Sequence, residues 1–344
     1  MQSREIVERC IEFRDPPRIG MHFRTDPIQG HLWDETDFAG VSYAADPRFT
    51  RKPGQSEWTN EWGIRKRTIS TQLGEAVGFP LGEGWHLLDS YLFPDFQADW
   101  RWENFRKNVD RGHAAGKYVY GSVPALMQLP ASLRGMENWF ADHILEPGNL
   151  GRLLDCLVEI RAAIIGRYAA AGVDGVIAYD DMGTNERTLV SPAMFRDLYF
   201  PRYKATIDLL HEHGMHFIHN CCGQVRELTD MFIEAGCDVL QLDQPTLMGI
   251  EWLGEHYGGK ICFWCPVDIQ TTMSSGNLDA IEDEAHRQVW HLGNYGGGFM
   301  VKAYQQPESI GILAAQAQRQ YDAFKRYGTY PLSPYLGTAE TKTP

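Results

Sequence analysis

The residues best equipped for chemistry lie in one stretch, residues 215–245, MHFIHNCCGQVRELTDMFIEAGCDVLQLDQP. A short apolar run there ends in His219-Asn220-Cys221-Cys222-Gly223, crowding an imidazole and two thiols together. Imidazole nitrogen and thiolate sulfur are donors that tetrahedral zinc takes. Alternation along an extended strand sends His219 and Cys221 one way and Asn220 and Cys222 the other, so at most one pair can face a common site. The bland alternative is a thiol packed as a small hydrophobe beside a core histidine.

Carboxylates end several other apolar runs. Asp180 and Asp181 close GVIAYDD, and Asp243 closes VLQLD. Paired carboxylates suit general acid–base work, so these three are the candidate catalytic residues, with one of Asp180 and Asp181 expected to cap the following helix instead. Candidate substrate-binding residues stand at equivalent places. They are His22 and Arg24 after RIGM, Gln244, Asp268, and the aromatic residues Tyr179, Trp264 and Tyr304. Arg24 can hold a carboxylate bidentately. The HEHGMH run at 211–216 reads as a helix C-terminus before Gly214, where histidine suits the dipole.

These groups need elements to carry them. Strand candidates are 18–23, 40–44, 118–124, 175–181, 216–220, 239–242, 261–267 and 298–303, mostly separated by helical patterns. The helical patterns span 3–13, 99–115, 126–141, 147–170, 192–211, 277–292 and 308–327, and Ser191-Pro192 starts one of them as N-cap and first residue. Short apolar strands suit a parallel sheet covered on both faces. Eight such units predict an α/β fold of the (β/α)8 TIM-barrel type, whose ligand sites lie at the carboxyl ends of the strands. An open doubly wound sheet is the rival, though no G-x-G-x-x-G follows the first strand. The prediction is one domain over 1–330, with an insertion or lid excursion at 47–100 that holds a β-hairpin, and a disordered tail at 331–344.

A net charge of −13 argues against nucleic acid as a partner. No run approaches a membrane span, and MQSREIVERCIEF does not read as a signal peptide. Seven cysteines with a Cys-Cys pair do not form a disulfide framework, so a cytoplasmic protein with reduced thiols is expected.

Four segments together resemble the uroporphyrinogen decarboxylase superfamily: GVIAYDDMGTNERTLVSPAMFRDLYFPRYKATIDLLHEHGMHFIHNCCGQV, GCDVLQLDQP, FWCPVDIQ and GGGFMVKAYQQPESI. The resemblance covers residues 115–327 and implies a (β/α)8 barrel. The decarboxylases of that superfamily hold an acidic tetrapyrrole with an Arg-Gln-Ala-Gly-Arg-Tyr segment, where this chain has His22-Phe23-Arg24-Thr25-Asp26. Its other branch passes methyl groups to or from a corrinoid protein or a thiol, using zinc held by His-x-Cys and a later Cys. The resemblance to that branch implies a methyltransferase with zinc on His219, Cys221, Cys222 and Cys265. Anchoring on Gly223 instead puts Asn220 and Cys222 on the ligand positions, and the last family cysteine falls near Tyr304. The expected cofactors are zinc and a cobalamin or other corrinoid carried by a partner. The expected partners are a small-molecule substrate, that corrinoid protein and a second copy of the chain as a homodimer, with neither nucleic acid nor membrane. A carboxy-lyase acting on a tetrapyrrole or smaller acid, and a non-catalytic ligand-binding barrel, are the alternatives.

Overall fold

The chain enters through helix α1 (Ser3–Ile11) and strand β1 (Gly20–Phe23), turns back in β2 (Glu35–Thr36) and continues into β3 (Phe38–Gly40). An excursion then builds a separate antiparallel sheet from β4 (Glu57–Thr59), β5 (Arg65–Thr68) and β6 (Gly74–Gly78). After α2 (Phe105–Ala114) and β7 (Tyr118–Val123), helices and strands alternate: α3 (Gln128–Arg134), α4 (Met136–Leu145) and α5 (Pro147–Ala171), then β8 (Gly175–Tyr179). Next come α6 (Pro192–Met194), α7 (Phe200–Glu212) and β9 (His216–Cys221), followed by α8 (Thr229–Ala235), β10 (Val239–Leu242), α9 (Ile250–Tyr257) and β11 (Cys262–Cys265). The chain closes with α10 (Leu278–Gly293), β12 (Phe299–Lys302) and α11 (Ala314–Tyr327). This computed structural model describes residues 1–24, 33, 35–68, 74–304 and 307–337.

The large sheet runs β2-β1-β12-β11-β10-β9-β8-β7-β3, parallel throughout except for the short β2. Its two edges meet at Asp37. The Asp37 backbone N–H donates to Met21 O at 2.8 Å, and its carboxylate accepts from Met21 N at 2.8 Å and from Arg18 at 2.6 and 2.7 Å. The eight parallel strands therefore curl into a TIM-type barrel, and the open doubly wound sheet is excluded. The second strand lies at 38–40, not 40–44, because the backbone leaves the sheet after Val41 N–H reaches Tyr120 O at 2.9 Å.

Strand alternation decides what fills the barrel. Phe38, Tyr118, Tyr120, Ile177, Ile218, Val239, Cys262, Trp264 and Met300 form one buried cluster, and Ile6, Val7, Cys10 and Ile11 of α1 join it. Helix α1 thus seals the amino end of the barrel. The side chains one position along each strand, such as Met21, Phe217, Leu240, Phe263 and Val301, belong to the layer beneath the helices.

Four helices differ from the sequence reading, two of them in starting later, at Phe105 and Ala314 instead of 99 and 308. The helix expected over 126–141 breaks at Gly135, whose φ of 85° suits glycine, so α3 and α4 form separately. Between α6 and α7 the backbone makes a π turn at Phe195–Tyr199, next to Pro201, which has no N–H to continue the ladder. The excursion is a three-stranded sheet, not a hairpin. Of the tail, Tyr335 bonds Asp283 at 2.9 Å and Leu332 is buried, while residues 338–344 lie outside the described residues. No described helix is long and apolar enough to cross a membrane.

Candidate active site

A cavity of about 240 Å³ opens at the carboxyl ends of the barrel strands. Seven of the eight parallel strands place a side chain there by the same parity that fills the interior: His22 from β1, Tyr120 from β7, Tyr179 from β8 and Asn220 from β9. Gln241 and Asp243 come from β10 and its end, Trp264 from β11, and Lys302 and Tyr304 from β12 and its end. Five expected site residues, His22, Tyr179, Asp243, Trp264 and Tyr304, therefore meet in one cavity.

The polar floor is one connected network. Lys302 Nζ lies 2.7 Å from Asp243 Oδ1 and donates to Gln241 Oε1 at 3.1 Å. Gln241 Oε1 also accepts from Asn220 Nδ2 at 2.8 Å. The Cys222 thiol lies 3.8 Å from Asp243 Oδ2. Burial, then the charges of Asp243 and Asp181, push this thiol well above its ordinary pKa, so it stays protonated.

Aromatic rings form the walls. Trp264 stacks on Phe38 with centroids 4.3 Å apart and donates to Val301 O at 3.2 Å. His22 packs edge-on to Trp264, and its Nδ1 lies 3.3 Å from Thr36 Oγ1. Burial, followed by the Arg24 and Lys302 cations, presses the His22 pKa down to about 3, so the ring is neutral near pH 7. Burial raises the pKa values of both Tyr120 and Tyr179. Tyr304 is raised by burial, then by Asp243, Cys222 and Asp181. Arg24 is exposed, and its field reaches His22, Tyr120 and Tyr179.

Other expected site residues sit elsewhere. Asp180 is fully buried, and its carboxylate accepts the backbone N–H groups of Leu126 (2.8 Å), Met127 (2.9 Å) and Gln128 (2.8 Å) and the Tyr203 hydroxyl (2.5 Å). The Asp180 carboxylate is spent on the loop leading into α3 and on the Tyr203 hydroxyl of α7, so it ties these together and does not face the cavity. Asp181 stands at the rim, accepting Gln128 Nε2 at 2.7 Å and Cys222 N at 3.2 Å. Asp268, also fully buried, accepts from the Thr246 hydroxyl and from Gln270 N at 3.0 Å and Thr271 N at 2.9 Å, and so ties two loops together. Gln244 bridges Gly223 N (2.8 Å) and Gln270 (3.0 Å) on the rim.

The four expected zinc ligands do not converge. His219 is fully buried beneath the helices, 4.7 Å from the Phe232 ring and 5.4 Å from Tyr203, with neither ring nitrogen bonded. Burial, then the Arg161 charge, holds its pKa at about 3. Cys221 and Cys265 occupy the same outer layer, and only Cys222 reaches the barrel mouth. Among the described residues, no three His, Cys, Asp or Glu side chains are placed to share a metal ion. The physical reason is parity, since His219, Cys221 and Cys265 occupy outward positions of their strands. The positions given by anchoring on Gly223 do face the mouth, but they hold an amide, a single thiol and a phenol beside an ammonium. That set does not fit zinc.

Sequence reasoning missed Lys302, Gln241 and Tyr120. The signal was present: GFMVKA and VLQL each hold one long polar side chain at an inward position of an otherwise apolar strand.

Comparison with known proteins now identifies the class. The uroporphyrinogen decarboxylase (URO-D) family model matches residues 115–301, more than half of the 344-residue chain, and the chain belongs to that family. No curated protein matches in sequence. Among solved structures, a methyltransferase from Methanosarcina mazei is similar at 13% identity, covering 95% of this chain and 99% of that one, with a TM-score of 0.69. A chitinase from Chromobacterium violaceum is similar at 10% identity over 89% of this chain and 98% of that one, with a TM-score of 0.43.

Proposed function

We propose that this chain is a methyltransferase of the uroporphyrinogen decarboxylase family, moving a methyl group to or from a small substrate in the cavity around Asp243 and Lys302. The observation that carries the reading is the end-to-end likeness to the Methanosarcina mazei methyltransferase, which includes the region before residue 115 that the family model leaves unmatched. In this reading the methyl carrier is a corrinoid on a partner protein, which supplies the nucleophilic metal centre. The chain's own residues bind, orient and exclude water. Asp243 and Lys302 place a fixed dipole at the reacting end, Tyr304 and neutral His22 offer proton-bearing groups, and the aromatic walls exclude solvent. Zinc is no part of the proposal, because the donor set does not fit it.

The size of the cavity speaks against the decarboxylase alternative. At about 240 Å³ it falls below the roughly 300–1,000 Å³ usual for drug-sized ligands, and a tetrapyrrole is larger than those. Among the described residues its one lining cation is Lys302, which is already paired with Asp243, whereas an acidic porphyrinogen needs several free donors. The two readings separate in parallel assays of methyl exchange with methylcobalamin or cob(I)alamin and of uroporphyrinogen III turnover. Methyl exchange without turnover supports the proposal, and turnover without exchange overturns it.

A further inference from the structure

The donors that zinc would need are turned away, yet the mouth of the barrel still holds a fixed cation. On β9, β10 and β12 the inward side chains at that level are Asn220, Gln241 and Lys302. An ammonium carries three N–H donors and no acceptor. Lys302 spends one on Gln241 at 3.1 Å and pairs with Asp243 at 2.7 Å as an ion pair without a hydrogen bond, and it has no further partner among the described residues. Because Gln241 Oε1 accepts from both Asn220 and Lys302, its amide is fixed, and its Nε2 likewise has no partner among the described residues. The Lys302 side chain is only 12% exposed. Donors so nearly buried are satisfied by an acceptor on whatever fills the cavity.

We propose that Lys302 is the resident cation of the cavity, and that the cavity takes a small planar or aromatic molecule bearing an anionic oxygen. Asp243 and Gln241 position the ammonium. An N–H of that ammonium, with the Gln241 amide, meets the ligand oxygen in a charge-assisted hydrogen bond. Tyr179, Trp264 and Tyr304 supply flat apolar surface for the ring. The Arg24 guanidinium adds positive field to that of Lys302 at His22, while Asp181 stands across the rim beside Cys222. The inference rests on reading this cavity as the substrate site. It is scored by binding, so it can fail while methyl transfer persists, and methyl transfer can fail while it holds.

The test is calorimetric titration of the full chain with benzoate and with benzamide, which share a ring and differ in charge. Benzoate should bind about tenfold more tightly or better, the effect of one charge-assisted hydrogen bond. Lys302→Met should erase that preference while keeping benzamide binding, and Lys302→Arg should retain it. Zinc chloride should give no stoichiometric binding. Equal affinities, no binding of either ring, a preference that survives Lys302→Met, or stoichiometric zinc would each overturn the proposal. Should Lys302→Met fail to fold, the wild-type ratio and Lys302→Arg still decide.

Discussion

Lys302 Nζ and Asp243 Oδ1, 2.7 Å apart, join β12 to β10 across the intervening β11 at the mouth of the barrel. Both side chains are nearly buried, so each ion depends on the other for what water would otherwise supply. The pair is at once a structural clasp and the charged centre of the cavity.

Breaking the clasp from one side should be costly. Lys302→Met or Asp243→Leu leaves a buried charge unpaired, and each is expected to lower stability by about 3–5 kcal/mol. The double variant should lose clearly less than the sum, because no unpaired charge remains. Urea unfolding of the four proteins of the cycle checks this, and strict additivity would refute the coupling.

His219 is expected to be dispensable. Its pKa of about 3 lies below the ordinary 6.5, so the unfolded chain takes up a proton between those values that the folded chain does not. Stability from this group is therefore lost as pH falls below 6.5. His219→Leu removes the penalty, and relative to wild type it should gain about 2 kcal/mol on going from pH 8 to pH 5. A variant that is severely destabilised at pH 8, with no relative gain at pH 5, would show that the imidazole has a partner after all.

Asp180→Asn tests positioning against catalysis. The carboxylate holds three backbone N–H groups and the Tyr203 hydroxyl. Weakening those charge-assisted bonds should cost about 1.5–3 kcal/mol of stability. Methyl transfer per folded molecule should stay within a few-fold of wild type. A loss of activity in protein shown to be fully folded would return Asp180 to the catalytic group.

Much of the fold was readable because short apolar runs between helical patterns mark a covered parallel sheet, as VLQL and CFWC do. The second strand was misplaced because its position is set by Asp37 closing the barrel on Met21 and Arg18, a contact between distant edges with no local signature. At the site, residue type competed with parity. His219 and Cys221 have the right chemistry at outward positions, whereas Gln241 and Lys302 attract less notice and face inward. Alternation allowed only one of the two pairs at 219–222 to face the mouth, but the absolute phase depended on how β9 registers with β8 and β10. Asp180 and Asp181 show the same limit. Adjacent carboxylates read alike in sequence, and neither caps the following helix, whose N-cap is Ser191; only the fold of the loop before α3 separates Asp180, which holds that loop, from the rim residue Asp181.

The most direct test follows methylation of cob(I)alamin by candidate methyl donors, read from its visible absorption, with wild type, Asp243→Asn and His219→Leu in parallel. The account expects turnover by wild type, a fall of about 10²–10⁴-fold in Asp243→Asn, and an essentially unchanged rate in His219→Leu. Full activity in Asp243→Asn together with loss in His219→Leu would contradict it, moving the active centre from the barrel mouth to the layer beneath the helices.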